Sequence, residues 1–168
     1  VKIPKGIISR LGHLGQSYQI TQWYPKPAVF DNNGWHPMPY LDQGEFYSEY
    51  GTFDVYLTLP KNYVVGATGD LVNGEKELEW LNKKVIETEK IAKEGSLDDA
   101  YNLKNGMDFP ISNDTTKTLH YHQEKVHDFA WFADKRYHVL KGEVELPNSK
   151  KKVTTWAMFT NIEANLWK

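Results

Sequence analysis

The chain has 168 residues, 25% of them charged, with a formal net charge of −2 and no cysteine. That length is one ordinary domain with room for its own core, and the lack of cysteine excludes disulfides and thiolate metal sites. The charge balance argues against a nucleic-acid partner, which calls for a basic excess, and no apolar run approaches the roughly 20 residues of a membrane span.

In chain order, the first segment reads as a short strand around residues 7–10 and a turn at Gly12-His13-Leu14-Gly15. A Gly-x-x-Gly turn cradles phosphate when it opens a helix; this one opens a strand, so it reads as a plain turn. Residues 18–24 alternate apolar and polar, the period of a strand with one buried face. On that reading Gln22 and Tyr24 share a face. Pro25 and Pro27 then remove backbone donors and end the ladder. Asp31-Asn32-Asn33-Gly34 is turn chemistry, Pro37 and Pro39 keep the chain extended, and a second strand is expected over 52–59, stopping at Pro60. Between these strands lies a long, proline-stiffened, aromatic-rich loop, the kind of place where binding residues collect.

Residues 63–68 lie in an apolar and β-branched stretch and predict a strand. From Glu75 the pattern changes to charges with Leu78, Leu81 and Val85 on one helical face. Gly95 suits a helix end, and Ser96 with Asp99 starts a second short helix, giving a solvated helical insertion over 75–106. Residues 117–123 return to alternation, which puts His120 and His122 on one strand face as half of a metal site with no third ligand at a diagnostic spacing. Residues 126–134 read as a central strand on which the neighbours His127 and Asp128 would face opposite ways. Two further strands, 137–145 and 152–159, join at a tip bearing Lys150, Lys151 and Lys152, read as exposed. Thr160 and Glu163 have capping-box spacing for a helix that the chain's end leaves short. Seven or eight antiparallel strands follow from this pass.

Thr21-Gln22-Trp23-Tyr24-Pro25, Phe53-Asp54-Val55-Tyr56-Leu57-Thr58-Leu59-Pro60 and Val65-Gly66-Ala67-Thr68-Gly69 occur in that order, with Gly44-Glu45-Phe46-Tyr47 between the first two. Together they resemble the N-terminal domain of the aminopeptidase N family of zinc peptidases, bacterial branch. The resemblance implies a mainly β fold, an open, saddle- or sandwich-like antiparallel domain over 1–160, with 161–168 starting the helix that leads into a catalytic domain. It also implies that zinc and the catalytic Glu belong to a H-E-x-x-H motif in that following domain. This chain has no such motif, so no catalytic residue and no metal ligand is assigned to it, and the chain alone is expected to be inert. Its partners would be its own catalytic domain and a peptide substrate. Gln22, Trp23 and Tyr24 would line the substrate cleft. Where relatives place a Glu or Gln for the substrate amine, this chain carries Tyr24, whose phenol offers a lone pair and a ring face without charge. Val1 is compatible with an exported protein whose signal peptide has been removed.

A reading from another class competes: a stand-alone β module gripping carbohydrate or a protein partner through Trp23, Tyr24, Trp35, Tyr40, Phe46, Tyr47 and Tyr50.

Overall fold

A computed structural model describes residues 11–38, 47–94 and 108–161. Within them the chain is mainly β: eleven strands, all paired antiparallel, and one α-helix. The surplus over seven or eight comes from short strands, three or four residues long, that the sequence pattern cannot separate from turns. The strand expected at 7–10, the second helix, Gly95 and the capping Glu163 lie outside the described residues.

The core forms where two sheets meet. The first has the order β1 (Leu11–Leu14), β2 (Ser17–Ile20), β9 (Trp131–Asp134), β6 (Val64–Ala67); the second has β5 (Gly51–Pro60), β8 (Thr116–Val126), β7 (Asp70–Val72). Strand alternation decides the faces. Val55 and Leu57 of β5, with Leu119 and Tyr121 of β8, point inward and are buried with Tyr63, Val65, Phe129 and Ala133. The intervening Asp54, Tyr56 and Thr58 stand on the outer face against His122, His120 and Thr118 in register. Gly69 makes the β6–β7 turn possible: its φ is +94°, and a Cβ there would lie 2.5 Å from the carbonyl oxygen of His122.

Three expectations need correction. The 18–24 strand stops at Ile20, because Gln22 adopts φ +52° and turns the chain out of the ladder. The 126–134 strand is two: β8 ends at Val126 just after Lys125 (φ +55°), and β9 begins at Trp131. Between them Phe129, 0% exposed, plugs the core. Gly12 is not in a turn but in β1 opposite Gln19, and the tight turn falls at Gly15, φ +59°.

The helix α1 (Glu75–Lys93) starts with Glu75 and Glu77 and ends with Lys90 and Lys93, matching its dipole at both ends. It is less solvated than its composition predicts. Leu81 is buried with Val64 and Val139, with Val85 and Trp80 packed beside them. Thr88 Oγ1, also buried, accepts a 3.0 Å hydrogen bond from the amide of Val139. This seats α1 on the hairpin of β10 (His138–Glu145) and β11 (Lys152–Phe159). At the hairpin tip Lys150 and Lys152 pair with Glu145 and Glu143 at 3.3 and 3.2 Å, as exposed side chains.

Candidate functional site

The residues singled out in the sequence meet at one corner. After Ile20 the chain turns at Gln22 and lays Trp23 and Tyr24 against the core. Trp23 Nε1 donates to the carbonyl of Phe129 at 3.0 Å. Tyr24 packs edge-on against Phe53, centroids 5.4 Å apart, and its hydroxyl donates to Asp128 Oδ1 at 2.9 Å. Asp128 also accepts the amide of Phe129 at 2.8 Å, and Lys26 Nζ lies 3.1 Å from its other oxygen. Burial, then the hydrogen bond to Asp128 and that carboxylate's charge, push the Tyr24 phenol far above its ordinary value, so it stays neutral with its proton committed to Asp128.

Gln22 is strained and short of a partner. Its Oε1 is buried with no hydrogen bond among the described residues. A left-handed backbone and an orphaned acceptor each cost on the order of 1–3 kcal/mol, and such costs collect at functional positions. Gln22 and Tyr24 therefore share a corner, but a turn brings them there and not strand alternation.

Beside this corner, His127 Nδ1 lies 2.9 Å from the carbonyl of Ser48, and its ring lies 4.0 Å from that of Tyr50. His127 and Asp128 sit in the irregular link between β8 and β9 and not on the expected strand, so strand alternation does not set their directions. The expected turn at Asp31 is a hairpin, β3 (Val29–Asp31) with β4 (Gly34–His36). Its inner side seats the buried Val29, and Asp31 accepts from Tyr47 Oη at 3.1 Å and lies 2.8 Å from His36 Nε2. His36 first, then the amide of Asn33, holds the Asp31 carboxyl below its usual range. On its outer side Phe30 and Trp35 are 64 and 68% exposed. Tyr40 and Phe46 lie outside the described residues.

His120 and His122 do share a face, and the third group is one that sequence spacing could not supply. Asp54, across on β5, has Oδ1 2.8 Å from His120 Nε2 and 3.0 Å from His122 Nδ1. Glu124 lies 3.8 Å from the far nitrogen of His122, and Asp70 on β7 is in register with it. Among the described residues no group of three His, Cys, Asp or Glu is arranged to hold a metal ion. The geometry instead sets a titration. The hydrogen bond to Asp54 raises His122 above its ordinary 6.5, and the bonds from His120 and His122 hold Asp54 below 3.8. The Asp54 contribution is present above 3.8 and lost as pH falls through its lowered value. The His122 contribution is present below 6.5 and lost as pH rises through its raised value. NMR titration should place the His122 midpoint above 6.5, and Asp54→Asn should lower it; an unmoved midpoint in the variant would show that Asp54 does not hold the ring.

The residues missed in the sequence are Asp128, weighed only against its neighbour His127, and Lys26. Asp128 is 104 positions from Tyr24, and no local pattern links the two. No protein-family model, curated protein or solved structure matches the chain. No helix among the described residues is long and apolar enough to cross a membrane.

Proposed function

We propose that this domain is the non-catalytic N-terminal part of a zinc-dependent, aminopeptidase-like metallopeptidase, and that Gln22, Trp23 and Tyr24 form one wall of its peptide cleft. The spaced motifs, which resemble that family's, support the reading. The observation that carries it is the ammonium of Lys26, held 3.1 Å from Asp128 Oδ2 and 5.9 Å from the centre of the Tyr24 ring. A carboxylate, a phenol oxygen and an aromatic face are the groups that suit a primary ammonium, and a peptide's free amino terminus is one. In this reading Asp128 supplies, through Tyr24, the negative charge that a Glu supplies in relatives.

Tyr24 also packs on the core, so Tyr24→Ala mixes recognition with stability. Tyr24→Phe is the cleaner probe: losing one hydrogen bond should cost about 0.5–1.5 kcal/mol of stability. In the protein carrying the H-E-x-x-H domain, the same change should lower kcat/KM for short peptides roughly tenfold, with zinc content unchanged. A reading frame without that motif beyond Lys168, or an unchanged kcat/KM, would remove the proposal.

The exposed Phe30–Trp35 pair favours a second reading, an aromatic platform for carbohydrate. Saturable oligosaccharide binding abolished by Trp35→Ala is its expected signature, and no binding by the wild-type chain would end it.

A further inference from the structure

A groove of about 910 Å³ opens between α1, β6–β7 and the β10–β11 hairpin, and Gln22, Trp23, Tyr24 and Asp128 are not among its lining residues. Its volume lies in the range of small-molecule sites, roughly 300–1,000 Å³. The wall is largely apolar, with Leu71, Leu78, Phe132 and Met158 among its members. Leu78 and Phe132 are each 39% exposed, apolar surface that the fold leaves uncovered. Two charged side chains line the groove, Lys141 and Asp70.

Lys141 is placed to meet an anion. Its ammonium lies 5.2 Å from the centre of the Trp156 ring and 3.4 Å from Asn82 Oδ1. The ring and the amide hold the cation at the groove wall, and it forms no ion pair with a described carboxylate. An ammonium has three donors, so a carboxylate arriving there gains a charge-assisted hydrogen bond beside a low-dielectric wall. Asp70 is exposed at the start of β7 and would repel an anion, which further selects the Lys141 side for the charged group.

We propose that this groove binds a linear aliphatic carboxylate, its chain along Leu78 and Phe132 and its carboxylate on Lys141. An aliphatic chain asks no hydrogen bonds of the wall, whereas a peptide would bring amides that are costly to bury unpaired. The site is independent of the peptidase reading and stands or falls apart from it.

Calorimetric titration of the chain with sodium octanoate, alongside octan-1-ol, tests it. One octanoate should bind per chain, with amide shifts centred on Leu78, Phe132 and Trp156. Lys141→Glu, an exposed position, should weaken octanoate by at least about tenfold and leave octanol unchanged. Leu78→Asn should weaken both ligands, with thermal unfolding confirming that each variant is folded. No saturable octanoate binding at millimolar concentration, equal octanoate affinity in Lys141→Glu and wild type, or shifts confined to other residues would each overturn the proposal.

Discussion

Phe129→Ala should lower the stability of the chain by about 3–5 kcal/mol, the scale of a truncated core aromatic. For a domain of this size that is a fall of roughly 10 °C in melting temperature. Phe129 is fully buried in the irregular link between β8 and β9, its ring 5.9 Å from that of Phe53. Its backbone also fastens the candidate site, since its carbonyl takes the Trp23 indole and its amide binds Asp128. The void left by alanine would open beneath Trp23 and Tyr24, with little to collapse into it. Phe129→Leu keeps most of the volume and should cost less than about 1.5 kcal/mol. Denaturant unfolding with an unchanged slope is the measurement. Equal midpoints for wild type and Phe129→Ala would mean that the link is not part of the cooperative core.

Glu77→Leu should cost about 3–5 kcal/mol at neutral pH, because it strands a buried ammonium. Lys117 Nζ lies 2.5 Å from Glu77 Oε1 and 4.0 Å from the centre of the Trp80 ring, and both charged side chains are only 10–12% exposed. Burial raises Glu77 and lowers Lys117, and in each case it outweighs the partner's opposing pull. Both shifts favour the uncharged form, so the intact pair costs more in lost hydration than it returns in attraction. The Glu77 contribution is thus most favourable below its ordinary 4.5 and is lost as pH rises through its raised value. That of Lys117 is most favourable above 10.5 and is lost as pH falls through its lowered value. Near neutrality both are at their least. A double variant, Glu77→Leu with Lys117→Met, should therefore match or exceed wild-type stability, with its advantage greatest near neutral pH. Thermal melts across pH check this; a double variant as unstable as Glu77→Leu alone would show that the pair is a net stabiliser.

The two longest strands and the helix were legible because their signals are local. In β5 every second residue from Phe53 to Leu59 is apolar, and in β8 Leu119 and Tyr121 alternate with His120 and His122, so periodicity put the two histidines on one face, opposite the apolar side chains. The β10–β11 hairpin followed from the same alternation on either side of a polar tip. In α1 the spacing of Leu78, Leu81 and Val85 marked one face, although it could not say that Leu81 would be buried and Leu78 left lining a groove. That depends on where the β10–β11 hairpin sits.

The candidate site was half legible. The residues Gln22, Trp23 and Tyr24 came from their order among spaced motifs, but the strand supposed to align them ends at Ile20. The alternation in fact breaks at Gln22, which follows Thr21 as a second polar residue, but periodicity cannot register a left-handed φ at a residue that is not glycine. What holds Trp23 and Tyr24 in place is Phe129 and Asp128, more than a hundred positions away. Asp54 reached the histidine pair in the same manner, through the β5–β8 register and across 66 positions.

By itself, then, the sequence determined the mainly β class, the inward and outward faces of the long strands and the amphipathic helix, all of which depend on neighbours a few residues apart. Tertiary structure alone decided which acid stands behind Tyr24, which carboxylate joins His120 and His122, and where α1 and the hairpin leave a groove. Each of these is a meeting of distant segments, fixed by sheet register and core packing, for which a single chain of residues carries no local signal.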